Sequence, residues 1–241
     1  MHKNMQDATA IILAAGQGSR MQSSKAKQFM DLQGKPLLYY SLKTFADSGI
    51  GNIVIVTGQD FIEYCQKQIV DYYHIAHVSA IVPGGKERYH SVYEGLKAAE
   101  DADIVMIHDG ARPFVTQAMI EASYDAAKDK GAVIVGVPVK DTIKRVSMEN
   151  IAVDTPDRSI LWQIQTPQSF EYRLIRSAYD KMFEQEDEAI TDDAMVLERY
   201  GRQQVTVIMG DYQNIKITTP EDMVIANAYL DTRLRTELDI N

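Results

Sequence analysis

The chain has 241 residues, 45% hydrophobic and 24% charged, with a formal net charge of −9. That is apolar material for a substantial core in one large or two small domains, and the acidic balance argues against a nucleic-acid-binding surface. A single cysteine, Cys65, excludes an internal disulfide and a cysteine-based metal site, while MHKNMQDATA lacks a signal-peptide core and no run of about 18 apolar residues occurs, so a cytoplasmic protein without membrane contact is expected.

The predicted elements alternate strand and helix from the start. Ala10–Ala14 is read as a buried strand that runs into a small-residue loop, Ala15-Gly16-Gln17-Gly18-Ser19, followed by Arg20 and later by Lys27. Small residues let backbone N–H groups approach a ligand, and successive N–H groups form an anion-binding nest. Two cations beyond such a loop suit a polyphosphate, although a plain strand-to-loop turn also fits the glycines alone. Met21 stands where the third glycine of a dinucleotide fingerprint belongs, which argues against an NAD(P)-dependent oxidoreductase, and no Walker-type P-loop string occurs.

Leu37–Ala46 has helical apolar spacing after Pro36, and Asn52–Thr57 reads as a strand. Phe61–Tyr73 is expected to be helical, His77–Val82 a strand, Arg88–Glu100 a helix and Ile104–His108 a strand. Thr116–Lys130 follows as a helix and Ala132–Val137 as a strand. Near-continuous Val/Ile runs between helices imply strands buried on both faces, hence an α/β fold with a mainly parallel sheet. Lys140–Gln168 then alternates apolar and polar residues between turn signals. It reads as a β-arm projecting from the sheet, either packed on another subunit or folded back on its own domain. Helices resume at Tyr172–Phe183 and Asp192–Tyr200, strands at Gln204–Met209 and Asn214–Ile217, and a closing helix at Pro220. The economical organisation is one domain, residues 1–241, with an arm at about 140–168.

Several clusters fall at expected strand ends, where open α/β sheets bind ligands. Pro83-Gly84-Gly85-Lys86-Glu87-Arg88, followed by Ser91, can offer backbone groups to a base edge. Asp109 and Arg112 can hold a polyol hydroxyl, a phosphate or, through Asp109, a metal ion; they can also simply pair with each other. His108 reads as a packed strand residue rather than a catalyst. Arg158 would enter a partner's site if the arm reaches it, and otherwise is a solvated arginine. Alternation sets Lys216 opposite Ile215 and Ile217, where an anionic partner is expected. Asp192-Asp193 and Glu221-Asp222 read first as acids favoured at helix N-termini.

Taken together and in order, A-A-G-x-G-x-R-M, K-Q-F, G-G-x-x-R-x-x-S-V, H-D-x-A-R-P, D-T-I-K, L-W-x-x-Q-T-P-Q-x-F, T-D-D-A and N-I-K-I-T-x-P-x-D resemble the 2-C-methyl-D-erythritol 4-phosphate cytidylyltransferases of the non-mevalonate isoprenoid pathway. The resemblance covers roughly residues 8–230 and implies a Rossmann-like nucleotidyltransferase fold, with a protruding β-arm exchanged in a homodimer. It implies transfer of a cytidylyl group from CTP to 2-C-methyl-D-erythritol 4-phosphate, a polyol phosphate, with Mg²⁺ and release of pyrophosphate.

Arg20 and Lys27 match the family's transition-state stabilisers. Ala14, Ala15, Gly16, Gly85 and Ser91 match its nucleotide cradle, and Gly18 lies in the same loop. Asp109, Arg112, Thr166, Lys216 and, from the other subunit, Arg158 match positions that hold the acceptor, with Thr142 a further one. The family often has Ala where Gly110 stands; Asp109 and Arg112 remain, so the departure is expected to be harmless. Phe29 and Gln165–Phe170 also resemble the sister ribitol 5-phosphate cytidylyltransferases. Asp141-Thr142-Ile143-Lys144 and Arg158-x-x-Leu161-Trp162 favour methylerythritol phosphate. A non-catalytic nucleotide sensor would not need Arg158 and Lys216 together.

Overall fold

Strands that read as apolar runs are the centre of the molecule. A computed structural model describes residues 3–16, 26–185 and 190–239, with side chains as far as residue 232. A seven-stranded sheet is built from β1 (Met5–Ala14), β2 (Ile50–Thr57), β3 (Val78–Pro83), β4 (Ile104–Asp109), β5 (Ala132–Pro138), β6 (Trp162–Glu171) and β7 (Thr206–Met209). Their spatial order is β7-β5-β6-β4-β1-β2-β3. Every pairing is parallel except those of β6, which runs antiparallel between β4 and β5.

Alternation along each strand divides the core into two layers. Ala10, Ile12, Ile53, Ile55 and Met106 face α1 (Leu37–Ala46) and α3 (Gln117–Lys130). Ile11, Val54, Val56, Val105 and Ile107 face α2 (Arg88–Lys97) and α4 (Tyr172–Glu184). Burial on both faces is why these strands read as continuous apolar runs instead of alternating ones. Thr116 caps α3 by accepting the Met119 N–H at 3.2 Å, and Gly131 ends it in the left-handed region at φ 78°. No helix among the described residues is long and apolar enough to cross a membrane.

Three expectations change. The arm is shorter than 140–168, because Trp162–Gln168 belongs to β6, in the interior of the sheet. Polar residues of β6 are buried with partners: Gln165 donates to the Asp211 carbonyl at 2.8 Å, and the Ser169 and Ser123 hydroxyls meet at 2.6 Å. What projects is a short hairpin, Arg145–Val146 paired with Ala152–Asp154. Asn214–Ile217 is not a strand and joins no sheet; it makes one ladder-like bond, Ile217 N–H to the Ala111 carbonyl at 2.8 Å. The expected helix over 61–73 is a composite, with a 3₁₀ turn at Gln59–Phe61 and a π-helical run at Cys65–Asp71. The closing helix is α6 (Pro220–Asp239), with proline at its first position, as its sequence suggested. A short α5 (Asp193–Val196) precedes β7.

Candidate active site

The C-terminal ends of β1, β3 and β4 open onto one cavity of about 380 Å³. β1 delivers Ala14 and then Ala15 and Gly16 to its wall. Among the described residues nothing lies within 4 Å of a Cβ placed at Gly16. Lys27 lines the same cavity from a 3₁₀ turn, Lys27–Phe29, which is anchored by the buried Gln28 and Phe29. The Gln28 amide donates to the Ala14 carbonyl and so ties that turn to the end of β1. Gly18 and Arg20 lie outside the described residues.

Opposite, the loop from β3 into α2 contributes Gly85, Lys86, Glu87 and Arg88. The Gly85 N–H donates to Ser91 Oγ at 3.2 Å, and that hydroxyl donates to the Glu87 carbonyl at 3.3 Å, which fixes the loop over the first turn of α2.

The floor is the tip of β4. Asp109 is nearly buried, and three cations converge on it: Lys216 Nζ at 2.9 Å, Arg88 Nε at 3.4 Å and Arg112 Nε at 3.6 Å. Burial alone would raise the carboxyl, but the charges of Arg88, Lys216 and Arg112 outweigh it and hold it far below the usual carboxylate range. Arg112 also donates to the Asn214 carbonyl at 2.8 Å, and burial lowers its own pKa.

Behind Asp109, Thr166 Oγ accepts its backbone N–H at 3.1 Å. His108 is fully buried, as expected of a packed strand residue, and spans Thr166 Oγ (3.0 Å) and the Arg112 carbonyl (3.2 Å). A carbonyl only accepts, so the ring proton sits on Nε2 and the Thr166 hydroxyl donates to bare Nδ1. Burial pushes this imidazole down to about 4, so it stays neutral.

Most of the expected residues therefore meet at one place: Ala14, Ala15, Gly16, Lys27, Gly85, Ser91, Asp109 and Lys216 line the cavity, and Arg112 and Thr166 sit against Asp109. Thr142 and Arg158 do not line it. Both are exposed on the arm, and Arg158 donates to the Lys140 carbonyl at 2.7 Å. Asp109 as a metal ligand is not supported by its surroundings, since its carboxylate is already shared among three cations. Among the described residues no group of three His, Cys, Asp or Glu side chains is arranged to hold a metal. At Gly110 a Cβ would stand 2.8 Å from Leu38 and 2.9 Å from the Leu13 carbonyl, so glycine is built into this packing.

The reading of the sequence missed two residues. Arg88 stood within a motif but was given no role, and Asp193 was read as a helix-dipole acid. Asp193 is fully buried and takes both Arg88 terminal nitrogens at 2.8 Å.

This site sits in a chain whose residues 8–232 match the family model described as IspD, 2-C-methyl-D-erythritol 4-phosphate cytidylyltransferase. The chain belongs to this family. Relatives of that name from Lachnoclostridium phytofermentans and Clostridium botulinum are 47% and 48% identical, each over 94% of this chain and over 97% and 99% of their own lengths. The solved structure of 4-diphosphocytidyl-2C-methyl-D-erythritol synthase from Anaerococcus prevotii superposes with a TM-score of 0.82 at 35% identity, covering 95% of this chain and 96% of that one. The Thermus thermophilus cytidylyltransferase gives 0.75 at 28% identity, covering 92% and 98%. The Rossmann-like nucleotidyltransferase architecture read from the sequence is thus the fold of these enzymes.

Proposed function

We propose that the protein transfers the cytidylyl group of CTP to 2-C-methyl-D-erythritol 4-phosphate, forming 4-diphosphocytidyl-2-C-methyl-D-erythritol and pyrophosphate in isoprenoid precursor synthesis. The observation that carries this reading is the convergence of Lys27, Arg88, Arg112 and Lys216 around one cavity in a member of this family. An acceptor phosphate oxygen bonds to the α-phosphorus, the α–β bridging P–O bond breaks, and pyrophosphate leaves with the electron pair. The acceptor is ionised at neutral pH, so no general base is needed; the obstacle is repulsion between two polyanions.

In this reading Mg²⁺ enters on the triphosphate as part of the substrate. Ala14, Ala15, Gly16, Gly18, Gly85 and Ser91 cradle the nucleotide, and Lys27 and Arg20 neutralise charge that develops on the leaving phosphates. Asp109, Arg112, Thr166 and Lys216 hold the acceptor. Thr142 and Arg158 complete that site from the arm of a second copy in a homodimer. The chain acts as one domain in the cytoplasm, with neither nucleic acid nor membrane as a partner. The relatives named above carry the methylerythritol phosphate name, which favours that acceptor over D-ribitol 5-phosphate.

The test is pyrophosphate release with CTP and Mg²⁺, comparing the two acceptors. Strong preference for 2-C-methyl-D-erythritol 4-phosphate is expected. Preference for D-ribitol 5-phosphate would leave the fold and phosphorus chemistry standing and overturn the substrate assignment.

A further inference from the structure

The charge cluster at the floor of the cavity extends beyond it into the packing of α4 and α5. Asp193, the first residue of α5, is fully buried and does not line the cavity. Its two oxygens take the Arg88 fork, Nη1 and Nη2, each at 2.8 Å. The Tyr179 hydroxyl of α4 donates to Asp193 Oδ1 at 2.6 Å. The backbone N–H groups of Asp193 and Ala194 both donate to Gln168 Oε1 at 3.1 Å, and the Gln168 amide donates to Asp192 at 3.0 Å. Gln168 lies two residues beyond Thr166 on β6, so the start of α5 is fastened to the strand that holds the Asp109 backbone.

A bidentate fork leaves an arginine little freedom. With one N–H of each terminal nitrogen committed to Asp193, the Nε–H faces Asp109 Oδ1 at 3.4 Å. The other Asp109 oxygen then takes Lys216 at 2.9 Å. The result is a ladder of alternating charge, Asp193–Arg88–Asp109–Lys216, running from the core to the cavity wall. Two carboxylates face three cations once Arg112 is included, so a positive surplus remains beside the cavity. Burial disfavours the Arg88 charge, but Asp193 and Asp109 together hold its pKa well above the ordinary value.

We infer that Asp193 is a positioning residue for the acceptor-phosphate site: it aims Arg88, Arg88 orients the Asp109 carboxylate, and that carboxylate sets the place of the Lys216 ammonium. The inference rests on the proposed reaction, in which Lys216 receives the acceptor phosphate. Its consequence is a division of labour that proximity to the cavity would not suggest. A carboxylate that touches no substrate governs the affinity for the acceptor more than the affinity for the nucleotide, because its ladder ends on Asp109 and Lys216, whereas Ala14 is held by the Gln28 amide and Gly85 and Ser91 by their own bonds to each other and to the Glu87 carbonyl.

The experiment uses the full chain and three variants, Asp193→Asn, Arg88→Lys and the double substitution. Wild-type turnover of 2-C-methyl-D-erythritol 4-phosphate is measured first; its absence would refute the reaction itself, separately from this inference. Asp193→Asn should raise the acceptor KM at least tenfold while the CTP dissociation constant, read by calorimetry, stays within about twofold. Arg88→Lys keeps a cation for Asp193 but cannot serve both carboxylates, so it guards against a fold failure of the first variant and should show the same split. Because both act through one ladder, the double variant should be no worse than the poorer single one. An unchanged acceptor KM in a folded Arg88→Lys variant, parallel losses for CTP and acceptor, or simple multiplication of the two single effects would each overturn the inference.

Discussion

Replacing Asp109 by Asn removes the anion on which Arg88, Lys216 and Arg112 converge. Breaking a buried pair by deleting one partner costs about 3–5 kcal/mol, because the other charge stays buried without compensation. Here the loss is moderated twice. Arg88 keeps Asp193, and Lys216, 36% exposed, can turn to water. Arg112, 11% exposed, has no such outlet; its Nε has no hydrogen-bond partner and stands 3.6 Å from Asp109.

The expected destabilisation of Asp109→Asn is therefore about 3 kcal/mol, which for a chain of this size lowers Tm by about 9 °C. The same variant releases cations, so millimolar inorganic phosphate or pyrophosphate should raise its Tm more than it raises that of the wild type. Thermal unfolding followed by circular dichroism, with and without the anion, measures both effects. A variant as stable as the wild type, or one that gains nothing extra from anions, would refute the placement of Asp109 as the counterion of this cluster.

Three further outcomes are expected. Between pH 7 and 4.5 the unfolded chain protonates His108, ordinarily near 6.5, while the folded chain, with the group held down to about 4, does not. Stability contributed by neutral His108 is thus lost as pH falls through this window, by about 2 kcal/mol, and His108→Gln should remove that share of the pH slope in urea unfolding. The depressed Asp109 carboxyl adds its own loss only below its ordinary value of 3.8, outside that window. Gly84→Ala would bring a methyl to 2.5 Å from Ala15 Cβ and 2.7 Å from Ser91 Oγ; closing the nucleotide wall should weaken CTP binding about tenfold by calorimetry. Lys27→Ala and Arg158→Ala should each lose on the order of 10²–10³ in turnover while folding normally. Mixing the two inactive proteins should recover about a quarter of the sites by subunit exchange, and no recovery would exclude a site shared between copies.

The sheet was legible because burial on both faces leaves a one-dimensional trace, the apolar runs of β1, β2, β4 and β5. The cavity was legible because its residues sit at strand ends, Ala14–Gly16 at the end of β1, Gly85–Arg88 after β3 and Asp109 at the tip of β4. β6 was not. Gln165, Thr166, Gln168 and Ser169 are polar residues satisfied inside the protein, and a buried hydrogen-bonded glutamine has the same letter as an exposed one. Asp193 was obscured for a related reason. An acid at a helix start is favoured by the helix dipole anyway, and only its pairing with Arg88, 105 residues away, separates structural punctuation from a buried ion pair. Lys216 has the anionic partner expected of it, Asp109, on a segment that is no strand, where Ile217 is buried without a sheet partner.

The arm carries the same logic one level higher. Its hairpin pairs two residues with three and leaves Met148, Ile151, Val153 and Ile160 more than half exposed. A two-stranded ribbon with its apolar side chains in water is marginal at best. Arg158, at its return, has a backbone carbonyl as the partner of its fork, although Arg112 and Arg88 in the same chain are held by carboxylates. Apolar surface without cover and a cation away from the anion site are two deficits of one copy. Docking the arm on a second copy would remedy both, burying the ribbon and bringing a further positive charge to an acceptor that must approach a triphosphate. The subunit-mixing experiment is therefore also a test of why this segment keeps apolar residues that its own domain does not cover.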